Sequence, residues 1–180
     1  MNENIIRDFE TAQRNALLRL CTEYGYANGV LLQSEDIDRK WDEMAAEYVA
    51  DAVSQIAEYP LVALAWAAYL GMAVANAWDD DWEKGSKAGY KSYYGGRGFD
   101  DMDDHIVRDL LKMPLGSKAA QDLTEMVFRM AELCNRNLRA NFAAQTNEAF
   151  QGFARSCKAL FLTGASMELK RLGYKFDRVR

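Results

Sequence analysis

Twenty consecutive residues without a charged side chain, from Tyr59 to Trp78, constrain the fold more than any other feature of this sequence. A helix of that length is about 30 Å long, which also matches the hydrocarbon core of a bilayer. Pro60, Asn76 and two tyrosines dilute the segment, and amphipathic segments surround it. We therefore expect a central helix that is buried on all sides, running from about Pro60 to Glu83, and no membrane partner.

Helical periodicity extends over most of the remaining chain, because apolar residues recur every three or four positions. The spacing predicts further helices at about residues 4–24, 35–59, 100–112, 117–142 and 146–172. No segment combines strand alternation with hairpin turns. We therefore expect an all-α protein with a single domain over residues 1–180, an antiparallel bundle of five or six helices around the buried alanine-rich helix.

Some predicted helix faces are specific enough to be tested against a structure. In the central helix, a line of small residues predicts the close approach of a neighbouring backbone: Ala63, Ala67, Gly71 and Ala75. The predicted inward stripe of the first helix is Ile5, Phe9, Ala12, Ala16, Leu20 and Tyr24. In the last helix, the residues predicted to face inward are Phe150, Phe153, Cys157, Phe161 and Gly164.

The charge balance bears on partners and location. The net charge of −5 argues against nucleic acid and anionic membranes as partners. Residues 1–104 carry 20 acidic and 9 basic side chains, a charge of −11, whereas residues 105–180 carry 7 and 13, a charge of +6. This asymmetry favours docking of the two halves or self-association. The three cysteines form no CxxC pair, so we expect free thiols and a cytoplasmic protein.

The C-terminal end of the central helix is the most informative local feature. On a continuous helix, Asn76, Asp79, Asp80 and Glu83 share one face, and Trp82 lies on a neighbouring face. Carboxylates near a helix C-terminus oppose the helix dipole, so we expect compensation there. Nearby lysine and arginine side chains can provide it, and so can a hard divalent cation with several oxygen ligands.

A second acidic stripe, on the preceding helix, extends the metal hypothesis. Helices joined near residue 60 would place Glu43 and Asp79 at similar heights, with Glu47 and Asp80 close by. The segments 42–47 and 76–79 resemble the paired EExxE and ExxD motifs of the all-α nucleotide pyrophosphatases, although the spacing matches loosely. Asp42 stands for a glutamate, and Asn76 replaces a glutamate, which removes one ligand charge. The resemblance implies a magnesium-dependent nucleotide phosphohydrolase.

Two further groups are candidates for binding. The loop from Gly85 to Phe99 contains five glycines, with Tyr93, Tyr94 and Arg97 as candidate contacts for a ligand or partner. The acidic start of the next helix disfavours phosphate, so we expect an aromatic-anchored surface loop. In that helix, His105 has an aspartate four residues before it and another four residues after it. An imidazole flanked in this way is a candidate base or ligand.

The sequence leaves three classes of function open. The first is a non-enzymatic helical module that associates with itself or with a protein partner, without a cofactor. The second is a divalent-metal-dependent phosphohydrolase that binds Mg²⁺ or Mn²⁺ through Glu43, Glu47, Asp79 and Asp80, with Arg97 or Lys84 on phosphate. The third is an inhibitor of a basic protein that acts through the acidic second helix. Self-association or partner binding is the leading hypothesis, and metal-assisted hydrolysis is the alternative to it.

Overall fold

The structure, a computed structural model, describes residues 3–175. These residues contain seven α-helices packed against each other and no β-strand, which confirms the predicted all-α bundle. The helices are α1 Glu3–Glu23, α2 Glu35–Val53, α3 Pro60–Asp80, α4 Trp82–Gly85, α5 Met102–Asp104, α6 Lys118–Asn141 and α7 Asn147–Arg171. Five of them are at least 19 residues long.

The segment between α4 and α6 contains helical turns of several kinds. Tyr90–Tyr93 and Phe99–Asp101 are 3₁₀ helices, and His105–Leu110 is a π-helix that continues α5. The single short helix predicted over residues 100–112 is therefore a composite of three helix types. Ile106 and Val107 from this composite helix are buried. The segment therefore contributes to the core and is more than a surface connection.

Helix α3 is the core of the molecule. Every residue from Ala63 to Ala75 is buried, as the prediction of a central helix requires. By length and mean hydropathy α3 is apolar enough to cross a membrane, but 72% of its most apolar 18-residue stretch is buried inside the fold. That burial is typical of the core helix of a soluble protein. Helix α3 packs most extensively against α7, and also against α6 and α2.

The contact between α3 and α7 is made at two glycines. A Cβ atom built on Gly71 would overlap the backbone carbonyl of Phe161, and one built on Gly164 would overlap the carbonyl of Ala68. Each helix therefore places a glycine against the other helix's backbone. The predicted close approach along the small-residue line is confirmed at Gly71.

Two predicted helix ends are wrong. Helix α2 ends at Val53 and not at residue 59, because hydrogen-bonded turns take over, with the N–H of Gln55 donating to Ala52 and that of Tyr59 to Gln55. Helix α3 ends at Asp80 and not at Glu83. These changes shift the relative heights that the sequence assigned to carboxylates on α2 and α3.

Two predicted faces also require correction. The buried residues of α1 are Ile6, Phe9, Glu10, Gln13, Leu17 and Cys21, and most of them lie one position away from the predicted stripe. The predicted inward residues Ile5 and Tyr24 are 55% and 46% exposed. Apolar periodicity did not identify the observed face because that face includes polar Gln13, whose amide donates to Ser156 Oγ at 2.9 Å. Phe150 is 43% exposed and does not face inward, whereas Phe153, Cys157, Phe161 and Gly164 are buried.

Candidate functional site

The acidic end of α3 is interrupted by a helix break. Asp81 has an extended backbone, and its carboxylate accepts a hydrogen bond from the Lys84 N–H at 3.2 Å, which caps α4. Asp81 thus ends α3 and begins the next helix. Glu83 consequently lies on a different helix from Asn76 and Asp79, and the predicted single face of four polar residues does not form.

Asn76 and Asp79 both contact the C-terminal end of α7 or the residues that follow it. The Asn76 amide donates to Glu168 Oε2 at 2.9 Å, and the Tyr174 hydroxyl donates to Asp79 Oδ1 at 2.9 Å. The Tyr174 ring also packs edge-on against Trp78, with 5.5 Å between ring centroids. The hydrogen bond to Asp79 raises the pKa of Tyr174. This end of α3 is held mainly by neutral hydrogen-bond donors.

The four predicted metal ligands are not gathered into one cluster. Glu43 accepts a hydrogen bond from the Lys40 ammonium at 3.1 Å, while Asp79 binds Tyr174. Glu47 and Asp80 are exposed. Across residues 3–175 there is no group of three or more histidine, cysteine, aspartate or glutamate side chains arranged to hold a metal ion. The magnesium site and the hydrolase activity stay predictions.

Lys40 is a buried charge that the sequence did not single out. It is 4% exposed, and its ammonium donates to the Ser86 carbonyl at 2.9 Å as well as to Glu43. This lysine therefore fastens the chain after α4 to α2. Trp82, in α4, is only partly exposed and packs against the core. Only part of the Trp82 side chain is therefore accessible to a ligand or partner.

The glycine- and tyrosine-rich loop is anchored by its aromatic side chains, as predicted. Tyr90 and Tyr93 are buried, and the hydroxyls of Tyr90 and Tyr94 both donate to Asp51 Oδ2 on α2, the former at 2.8 Å. Burial raises the pKa of Tyr93 to about 12. Burial and the Asp51 hydrogen bond raise the pKa of Tyr94 to about 12. The phenols therefore remain neutral hydrogen-bond donors at physiological pH.

Arg97 takes part in a local turn through its backbone. Its backbone N–H donates to both carboxylate oxygens of Asp101, at 2.9 and 3.1 Å. Gly95 permits this contact, because a Cβ atom there would overlap the Asp101 carboxylate. The Arg97 guanidinium is mostly exposed, with its Nε 3.7 Å from Asp101. Asp101, which was predicted to flank His105, is therefore used by the loop.

His105 has the second of its predicted partners. Its Nδ1 lies 2.9 Å from Asp109 Oδ2, and Arg108 also binds Asp109, with Nε 3.0 Å from Oδ1. These two hydrogen bonds, that from Arg108 first, lower the pKa of Asp109 to about 2. The pair stands on the partly exposed π-helix. It has the geometry of a local ion pair.

Asp103 is expected to make the stability of the protein depend on pH. Burial, with a smaller contribution from Asp104 and Asp101, raises its pKa from 3.8 to about 6. An acid with a raised folded-state pKa binds its proton more tightly in the folded state, so stability falls as pH rises between these values. At about pH 8 we expect Asp103→Asn to raise the free energy of unfolding by about 1 kcal/mol. This is less than the full pKa shift implies, because solvent partly screens the half-buried charge.

Urea denaturation of the wild type and Asp103→Asn across this pH range measures the effect. The gain is expected to vanish near pH 3, below both pKa values, where the carboxyl group is mostly protonated in the folded and the unfolded chains. Asp100→Asn is the matched control, because Asp100 is exposed in the same segment. A gain that is equal at both ends of the pH range would show that burial of the Asp103 charge is not its cause.

A cleft that the sequence did not predict lies beside the C-terminal end of α7, with a volume of about 310 Å³. Glu168 in its wall is 2% exposed and accepts two hydrogen bonds from Arg171, at 2.5 and 2.7 Å. The larger apolar side chains that line the cleft are Tyr26, Met72, Leu111, Met113, Leu123 and Met167. The sequence contains one indication of this polar wall, because Glu168 is the only charged residue between Ala159 and Leu169.

A separate apolar surface lies where α2 meets the start of α7. It contains a shallow hollow of about 460 Å³. We call this surface the α2 face, and its residues are Ala45, Ala46, Val49, Ala50, Val53 and Phe150. Val53 and Phe150 are 41% and 43% exposed. Ile56, which follows α2, is also exposed and extends the apolar character of this region.

Comparisons with protein-family models, with curated proteins and with solved structures give no match for this chain. Function is therefore inferred from its own residues. Of the predicted site residues, Asn76 borders the cleft through its bond to Glu168, and Tyr94 fastens the loop to α2. Within residues 3–175, the structure offers two surfaces open to a ligand or partner that stand out by composition: the methionine-lined cleft and the α2 face.

Proposed function

We propose that this protein is a non-enzymatic helical module that forms a homodimer through the α2 face. The exposed Phe150 beside an alanine-lined hollow is the observation that carries this proposal. Large apolar side chains exposed as a group on a soluble protein mark interaction surfaces, whereas single ones need no explanation. The buried thiols of Cys21, Cys134 and Cys157 are unpaired, which supports a cytoplasmic location as part of the proposal.

The shape of the α2 face favours a second copy of the same chain. A twofold interface brings the same patch of both subunits together, so the patch has to be complementary to itself. Here the exposed aromatic ring of Phe150 adjoins a hollow lined by the small side chains of Ala45, Ala46 and Ala50. Each ring can fill the hollow of the opposite subunit, which buries both and lets the two α2 helices approach closely.

Charges at the rim of the α2 face are also complementary. Asp42 lies one helical turn before Ala46, and Lys158 lies two turns after Phe150 on the same side of α7. Neither side chain has a salt-bridge partner within 4 Å among the described residues. One unpaired acid and one unpaired base on a self-complementary surface can pair across a twofold axis. Such rim pairs contribute more to orientation than to affinity.

Ala50→Glu tests the dimer. Burial of an uncompensated carboxylate at the interface should raise the dimer dissociation constant by at least about thirtyfold. Sedimentation velocity from about 5 to 500 µM protein measures the change, since association follows mass action. Ala140→Glu is the matched control, because Ala140 is an exposed alanine on α6, outside the α2 face.

Several results would contradict the homodimer. One is a wild-type chain that stays monomeric at the highest concentration and low salt. Another is equal weakening of association by Ala140→Glu and Ala50→Glu, which would make the effect one of net charge. A folded wild-type monomer that retains a heterologous protein, and loses it on Ala50→Glu, would assign the α2 face to a different partner.

A further inference from the structure

The cleft beside α7 has the size and lining of a small-molecule binding site. Its volume of about 310 Å³ lies at the lower end of the range for ligand pockets. That is the space of about ten water molecules, enough for a chain of roughly eight carbons. Met72 on α3, Met113 in the connection before α6 and Met167 on α7 line the cleft, and methionine side chains adapt readily to the shape of an apolar ligand.

The charges around the cleft leave one cation without a counter-ion. Asp122 is paired with Lys118 at 3.1 Å, and Glu168 is paired with Arg171 at 2.5 Å. Lys170 donates one hydrogen bond to a backbone carbonyl at 3.2 Å and contacts no carboxylate within 4 Å among the described residues. Its ammonium carries three donors, so donors remain for a ligand.

We propose that this cleft binds a small amphipathic carboxylate, such as a medium-chain fatty acid, with its chain among the methionines and its carboxylate on Lys170. The carboxylate of buried Glu168 is already neutralised by the more exposed Arg171, so this part of the wall does not repel an anionic head group. A cationic ligand would gain no ion pair here, because both acids that line the cleft, Asp122 and Glu168, are already paired.

Octanoate is the probe, titrated below its micelle concentration. Isothermal titration calorimetry should give one site with a dissociation constant on the order of 0.1–1 mM, as expected for a ligand of ten heavy atoms. Methyl NMR of the methionines locates the bound octanoate, because Met72, Met113 and Met167 line the cleft and the other methionines among residues 3–175 do not. Octylammonium should bind about fivefold more weakly or not at all, and octanol should be intermediate.

Two variants separate the chain pocket from the head-group contact. Ala119→Phe places a ring in the cleft from an exposed position on α6 and should abolish octanoate binding, while Ala140→Phe on the same helix should not. Lys170→Gln should weaken octanoate about fivefold and leave octanol unchanged, because it removes only the charge. Lys87→Gln is the control for loss of an exposed lysine elsewhere.

The proposal fails if octanoate does not bind, or if its binding is unchanged by Ala119→Phe. It fails equally if octylammonium binds as tightly as octanoate, since the site would then not select an anion. Methyl shifts spread over methionines outside the cleft would indicate nonspecific association and would also overturn it.

Discussion

Gly71→Ala is expected to lower the free energy of unfolding by about 3 kcal/mol, because the added methyl group has no room between two helix backbones. A Cβ atom at this position would overlap the carbonyl group of Phe161 and lie 3.0 Å from the Ala165 nitrogen. Both obstacles are backbone atoms of α7, which cannot move aside as the end of a flexible side chain can. Relief requires separation of α3 from α7, the most extensive helix contact in the molecule.

Gly164→Ala should have an effect of similar size, since its Cβ atom would overlap the Ala68 carbonyl. The two substitutions widen the same helix pair, so the double variant should cost less than the sum of the single ones. Urea denaturation followed by far-ultraviolet circular dichroism measures all three. Gly116→Ala is the control, because no atom lies within 4 Å of a Cβ atom there, and should change stability by less than about 0.5 kcal/mol.

An unchanged stability of Gly71→Ala, together with an unchanged Gly164→Ala, would mean that the backbones of α3 and α7 are not in close contact. A loss confined to one of the two positions would mean that the helices cross with a different register. Equal losses at Gly71 and Gly116 would point to a general intolerance of alanine for glycine, with no role for the helix contact.

The central contact shows how far the sequence alone could go. A charge-free run with Gly71 among alanines is enough to predict a buried helix and a close neighbour. Gly164 was also placed on the inner face of its helix. The sequence could not show that both glycines serve one helix contact, because 93 positions separate them and only the packing of α3 on α7 brings each glycine against the backbone of the opposite helix.

The candidate site was predictable only where contacts are local. The pair of His105 and Asp109 follows from helical spacing of four residues, and the structure contains it. The bond from Asn76 to Glu168 joins residues 92 positions apart, and the bonds from Tyr90 and Tyr94 to Asp51 span about 40. Such contacts depend on how helices are placed against each other. Helical periodicity specifies which face is buried but not which neighbour it meets.

Arg171→Met is expected to lower the free energy of unfolding by about 3 kcal/mol at neutral pH, because it leaves the buried Glu168 carboxylate without its cation. Glu168 is 2% exposed and accepts hydrogen bonds from Arg171 Nε at 2.5 Å, from Arg171 Nη2 at 2.7 Å and from the Asn76 amide at 2.9 Å. Methionine retains much of the side-chain bulk and removes the charge, so lost packing contributes little. Only the neutral amide would remain to stabilise a charge held away from water.

The double variant Glu168→Gln/Arg171→Met separates the unpaired charge from any other effect of losing the arginine. Glutamine keeps an oxygen for the Asn76 amide and carries no charge, so we expect it to recover most of the loss. Urea denaturation at neutral pH measures both variants. A deficit that persists in the double variant would show that Arg171 stabilises the end of α7 by packing. In that case the ion pair of Glu168 and Arg171 would no longer explain why the polar wall of the cleft is neutral.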